Sequence, residues 1–127
     1  VAPHMIAQKS GKIINIASGA PYKGIPRMLP YVTSKGAMIA FTRSLSRELG
    51  QHGINVNTLS PGYILSDTGL ENSTHVEEER IPVRNSRAFK RDAFPEDLTG
   101  TLVFLASPDS DFITGQSIVV DGGSVNN

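Results

Sequence analysis

Three short β-branched runs stand far apart in the chain, and a helical pattern lies in each interval between them. The runs are residues 12–16 (KIINI), 54–59 (INVNTL) and 117–120 (SIVV), each bounded by glycine or other turn residues, and they read as buried strands. Over residues 27–50 the apolar period becomes helical: Met38, Phe41, Leu45 and Leu49 fall at i, i+3, i+7 and i+11 and form one apolar seam, which Gly50 and Gly53 end. Residues 95–106 (PEDLTGTLVFLA) form a second helix, with Pro95 at its first position, Glu96 and Asp97 in its first turn and an apolar face behind them. Strand, helix, strand, helix, strand is the pattern of an α/β fold with a parallel sheet and right-handed crossovers. Around these elements, residues 2–9 read as the last turns of a helix stopped by Gly11, and residues 17–26 as a loop. Residues 63–94 are polar, mixed and weakly periodic, and residues 107–116 are a turn-rich connection.

Composition narrows the function classes. A hydrophobic share of 39% in 127 residues supports one globular domain with a real core. Twelve basic and twelve acidic residues cancel, so the balance carries no footprint for nucleic acid or an anionic membrane. The absence of cysteine excludes disulfides and thiolate metal sites and fits a reducing cytoplasm. No apolar run approaches the ~20 residues of a membrane span, and the first ten residues lack the apolar core of a signal peptide. His4, His52 and His75 show no metal-ligand spacing and read as surface residues.

In parallel sheets of this kind ligands bind beyond the carboxyl ends of the strands. Ser18 lies two residues past the first strand, Pro61 and Gly62 just past the second, and Tyr31 and Lys35 open the helix that follows the first. A tyrosine hydroxyl is a poor acid at neutral pH, but residues four apart share one helix face. An ammonium about 4 Å away, at an effective dielectric of 20, favours the phenolate by about 4 kcal/mol. Such a tyrosine can exchange a proton with an alcohol or carbonyl oxygen that a serine hydroxyl holds in place. Each element alone has a plainer reading: a chance i, i+4 pair, a loop hydroxyl, a turn. Serine, then tyrosine 13 residues on, then lysine four further, then a strand ending in Pro-Gly, is a specific constellation.

The stretches GKIINIAS (11–18), YVTSKGA (31–37), HGINVNTLSPGYILSD (52–67) and FITGQSIVVDGG (112–123), in this order, resemble the C-terminal half of a classical short-chain dehydrogenase/reductase. The resemblance implies a Rossmann-like, doubly wound parallel sheet, NAD or NADP as cofactor and a small-molecule alcohol or ketone as substrate. It makes Tyr31 the catalytic acid–base and Ser18 the residue that orients the substrate oxygen. Lys35 tunes the tyrosine and bonds the nicotinamide ribose. Pro61, Gly62 and Ile64 match the loop against the nicotinamide, with the Ile64 backbone at its carboxamide. Ser66 stands where the family usually has threonine, and Asn15 matches a structural residue that ties neighbouring strands.

The family's glycine-rich phosphate loop and its Asn-Asn-Ala-Gly stretch have no counterpart in the sequence. Residues 1–127 therefore read as the C-terminal catalytic part of a single Rossmann-like domain whose cofactor-binding half is missing, not competent as a catalyst alone. The resemblance also implies a homo-oligomer, dimer or tetramer, and a substrate lid near residues 77–91 (EEERIPVRNSRAFKR). The charges there read first as a solvated helix face; alternatively Arg80, Arg84, Arg87, Lys90 and Arg91 would meet a phosphate-bearing carrier. The alternative to an oxidoreductase is a non-catalytic binding or assembly protein of the same fold.

Overall fold

The computed structural model describes residues 1–66 and 76–125; Asp67 and His75, both singled out above, lie outside them. In chain order the elements are α1 (Ala2–Gln8), β1 (Gly11–Ile16), α2 (Ala20–Lys23), α3 (Leu29–Leu49), β2 (Ile54–Pro61), α4 (Val76–Ser86), α5 (Glu96–Ala106) and β3 (Ser117–Val120). The strands form one open parallel sheet in the order β1-β2-β3. Gly11 pairs with Ile54 and Ile16 with Leu59, while Thr58 pairs with Ser117 and Pro61 with Val120. This is the fold class that the alternating pattern predicts. β2 is central and covered on both faces, and Ile54, Val56, Asn57, Thr58, Leu59 and Ser60 are all buried.

Two side chains of β1 show where the helices lie. Asn15 donates to the Thr42 hydroxyl of α3 at 2.8 Å. Lys12, of opposite parity on the strand, bonds Ser110, whose hydroxyl in turn donates to the carbonyl of Leu105 in α5. Successive strand residues point to opposite faces, so α3 covers one face of the sheet and α5 the other. The strand order advances in one direction, so two connections on opposite faces cannot both be right-handed, and the expectation of uniform right-handed crossovers fails. The preference belongs to a strand feeding directly into a helix that packs back on the sheet. The connection from β2 to β3 runs instead from Gly62 to Gln116 through other structure. Asn15 likewise ties β1 to a helix, not to a neighbouring strand.

Other local readings shift. Gly11 does not stop α1: it begins β1, and Lys9 takes the left-handed conformation that caps the helix. The loop at 17–26 contains the single turn α2. The weakly periodic 63–94 stretch contains α4, with Pro82 inside it. The seam assigned to the long helix is rotated. Its buried residues are Ile39, Thr42, Ser46 and Leu49, whereas Phe41 is 55% exposed. Thr42 serves Asn15, and a side chain on Gly115 would meet the Ser46 hydroxyl, so this face of α3 packs through small polar residues. Leu49, Ile54 and Val56 form the core on this side, with Met5, Ile6, Ile13 and Leu45 against them.

Leu105 is the fully buried residue of α5, and truncating it leaves a hole against the sheet. Leu105→Ala is expected to cost about 2–5 kcal/mol in chemical denaturation. Phe112→Ala, at a fully exposed position, should stay within about 0.5 kcal/mol.

Candidate active site

The ladder continues past the named strands and builds the site. The amide of Ala17 donates to Leu59 at 2.9 Å, that of Gly19 to Pro61 at 2.8 Å, and that of Gly62 to Val120 at 3.0 Å. Ser18 is thereby held beside the Pro61–Gly62 turn and is buried, its hydroxyl accepting from the Ala20 amide at 3.1 Å. After α2 the left-handed Gly24 turns the chain, and α3 starts at Leu29 with Pro30 in its first turn. Tyr31 is then the third residue of the helix and Lys35 lies one turn on. The Lys35 ammonium donates to the carbonyl of Ile16, at the end of β1, at 2.9 Å and sits 5.8 Å from the centre of the Tyr31 ring. Ser18 and Tyr31 line one cleft of about 210 Å³, together with Pro61, Gly62 and Tyr63. The three residues expected to carry the chemistry are thus brought together at the carboxyl edge of the sheet.

Of the residues expected at the cofactor, Pro61 closes β2 and Gly62 follows. A Cβ on Gly62 would lie 2.6 Å from the Cβ of Asp121, so only glycine lets the two turns approach. Ile64 pairs with Ala93 as a parallel bridge, in which the Leu65 amide donates to Ala93 at 2.8 Å. Among the described residues the N–H and C=O of Ile64 itself are left unengaged. One free donor beside one free acceptor is the complement of a carboxamide, so the loop fits the nicotinamide end of a dinucleotide. Ser66, exposed, is the last described residue of this loop.

Arg87 was not distinguished by sequence from its charged neighbours. It is 3% exposed. One guanidinium nitrogen donates to the carbonyl of Arg91 at 2.7 Å and another to that of Tyr63 at 2.5 Å, while its buried Nε has no partner. It fastens the loop after β2 to the segment after α4. The other basic residues lie on a largely exposed segment, as the solvated-face reading expects, and are paired within it rather than open to a phosphate. Arg80 and Arg84 both bond Asp92 and Glu77, Arg91 makes a bidentate pair with Asp97 at 2.6 and 2.8 Å, and Lys90 donates to the Asn85 carbonyl. The hydrogen bond from Arg80, seconded by Arg84, holds the Asp92 carboxyl below the usual carboxylate range against the opposing effect of burial. The hydrogen bond from Arg91, seconded by the Phe94 amide, does the same for Asp97.

A larger depression of about 840 Å³, lined by Tyr22, Arg43, Arg47 and Gln116, shares no residue with this cleft. The smaller cleft is the candidate site, because it holds the paired hydroxyls. Among the described residues no group of three His, Asp or Glu is placed to hold a metal, and no helix is long and apolar enough to cross a membrane.

A family model described as enoyl-(acyl carrier protein) reductase matches residues 1–125. The short-chain reductase protein NovJ of Streptomyces niveus is 39% identical over 127 residues, which cover 97% of this chain and 48% of that protein. The 3-oxoacyl-(acyl-carrier-protein) reductase FabG of Staphylococcus aureus is 39% identical over 121 residues, covering 95% of this chain and 48% of FabG. A gluconate 5-dehydrogenase from Burkholderia cenocepacia, solved with NADP and tartrate, superposes with a TM-score of 0.86 at 35% identity, covering 98% of this chain and 48% of that one. The chain spans about half the length of the curated relatives it matches.

Two outcomes follow from this geometry. Gly62→Ala forces the turns at Gly62 and Asp121 apart and should cost about 1–3 kcal/mol, read by thermal or chemical denaturation. Asp92 is deprotonated more readily folded than unfolded. Its contribution is complete above the unfolded carboxylate pKa of about 3.9 and fades as pH falls through that value toward the lower folded one. Asp92→Asn should therefore destabilise the protein at pH 7 and flatten the loss of stability between about pH 5 and 3, measured by denaturation across that range.

Proposed function

The chain belongs to the short-chain dehydrogenase/reductase family, and from that premise we propose that the protein carrying it interconverts an alcohol and a ketone by hydride transfer, with Tyr31 as general acid–base. The observation that carries the proposal is the convergence of Ser18 and Tyr31 on one cleft with the Lys35 ammonium behind the tyrosine ring. NAD or NADP is the cofactor of this family, and the gluconate 5-dehydrogenase relative holds NADP. Pro61, Gly62, Ile64 and Ser66 would hold its nicotinamide end, and Tyr31 and Lys35 the adjoining ribose. When bound, the nicotinamide supplies or accepts the hydride.

The chain's own residues handle the oxygen and its proton. In the oxidation direction Ser18 holds the alcohol oxygen by a hydrogen bond and Tyr31 takes the hydroxyl proton as the carbonyl forms. In reduction the same phenol returns a proton to the oxygen. The Lys35 ammonium stabilises the tyrosine when it is negatively charged. Only one of its three N–H groups is spent on Ile16, so two remain for a ribose hydroxyl. The Ser18 hydroxyl accepts from the Ala20 amide, which leaves its proton to point at the substrate oxygen.

On this reading the chain supplies the catalytic part of one Rossmann-like domain, acts on a small molecule in the cytoplasm and works in a homo-oligomer. In the protein carrying this chain, Tyr31→Phe is expected to lower turnover by roughly 10²–10⁴-fold. Lys35→Ala is expected to weaken dinucleotide binding, measured by nucleotide fluorescence. Unchanged carbonyl reduction by Tyr31→Phe would leave the non-catalytic, binding or assembly role as the better account.

A further inference from the structure

Beyond its reactive edge, the cleft is lined by apolar side chains, Ile25, Met28 and Val83 among them, with two cations: Lys23 and Arg87. Its single carboxylate, Asp121, is already committed. One oxygen accepts from the amides of Gly123 and Ser124, both at 3.0 Å, in the turn after β3. The cleft therefore carries an excess of positive charge.

Lys23 is the accessible cation. It is the last residue of α2, and its ammonium meets two hydroxyls, Ser86 at 3.3 Å and Ser124. Those hydroxyls are 2.5 Å apart, and Ser86 donates to the Val83 carbonyl at 2.8 Å. Ser86 must then accept from Ser124, and the ammonium donates to both. Two of the three Lys23 N–H groups are spent on these hydroxyls, and among the described residues no carboxylate answers its charge. Arg87 adds a second, buried cation on the same wall, with an unpartnered Nε, though the Asp97 carboxyl already answers part of its charge. Three elements distant in sequence, α2, α4 and the C-terminal turn, meet at Lys23, Ser86 and Ser124.

We propose, resting on the oxidoreductase reading above, that the substrate is a small secondary hydroxy acid or its oxo acid. Its carbinol oxygen lies at Ser18 and Tyr31, and its carboxylate at the Lys23 ammonium and the Ser86–Ser124 hydroxyl pair. The apolar lining accommodates the carbons between the two polar ends. On binding, the Ser124 hydroxyl turns from Ser86 to the carboxylate, and the third N–H of Lys23 joins it. The carboxylate takes no part in the redox step. The carbinol carbon gives its hydride to the oxidised dinucleotide and its hydroxyl proton to Tyr31, and the oxo acid leaves with its carboxylate unchanged.

The test uses the protein carrying this chain and a panel of secondary hydroxy acids from 3-hydroxybutyrate to D-gluconate, each beside its methyl ester, with NAD and NADP. Wild type is expected to prefer an acid over its ester by at least ~10-fold in kcat/KM, since an ionic partner is lost in the ester. Lys23→Met should cut that preference by ~10-fold or more, chiefly through KM for the acid, and Lys23→Arg should restore most of it. An ester used as well as its acid, or a preference unmoved by Lys23→Met while turnover persists, overturns this substrate class and leaves the oxidoreductase reading standing. No oxidation of any acid or ester with either dinucleotide, and no reduction of the matching ketones, overturns the oxidoreductase reading itself.

Discussion

The parallel pairing of β2 with both neighbours is the constraint on which the rest depends. A parallel ladder aligns the carboxyl ends of its strands, and here the pairing runs on through Ala17, Gly19 and Gly62 after the strands proper have ended. Three turns are thereby brought side by side: the one bearing Ser18, the Pro61–Gly62 turn and the one opened by Asp121. Ser18 and Pro61 are 43 positions apart in number, yet the Gly19–Pro61 bond makes them neighbours. α3 adds Tyr31 and Lys35 because it begins where that edge ends, and the bond from Lys35 back to Ile16 fixes the helix start to the sheet.

The charged segment after α4 depends on the same edge. Arg87 reaches across to the carbonyl of Tyr63, and Arg80 and Arg84 converge on Asp92, next to the Ala93 that pairs with Ile64. Pairing cations with a partly buried carboxylate has a geometric use here. It holds the Ala93 strand bridge in place, and that bridge leaves the backbone of Ile64 facing away with its own donor and acceptor unspent.

What was legible in the sequence is what repeats with a period or carries its own local chemistry. The three strands, α3 and α5 answer to β-branched runs and helix-start residues, and each stands where expected within a residue or two, while the fixed spacings of Ser18, Tyr31 and Lys35 put them at one edge of the sheet. α4 was hidden because Pro82 interrupts it and its charges mask any apolar face. The α3 seam was misplaced because its buried face is partly hydroxyl: Thr42 and Ser46 sit where hydrophobic periodicity looks for leucine, while Phe41 faces outward. Arg87 was illegible for a different reason. Nothing local separates it from Arg84 or Arg91, and its burial is decided by the close approach of Gly62 and Asp121, contacts made across the fold.

The groups left over at the carboxyl edge have a common direction. Folded chains engage nearly all their buried polar groups, and at this edge the Arg87 Nε is an exception, set among polar groups that still reach solvent. Among the described residues Ile64 keeps a backbone donor and acceptor, Lys35 keeps two N–H groups, Arg87 keeps its Nε and Lys23 keeps a charge answered only by hydroxyls. By contrast Asn57, buried in mid-sheet, is engaged from within, donating to the Ile113 carbonyl and accepting from the Gln116 amide. The difference is positional. Mid-sheet polar groups can be satisfied only from within, and the fold supplies partners for Asn57 while the Thr58 hydroxyl goes without one. At the carboxyl edge a ligand can supply them, and Lys23 and Ser124 line the same cleft as Ser18 and Tyr31.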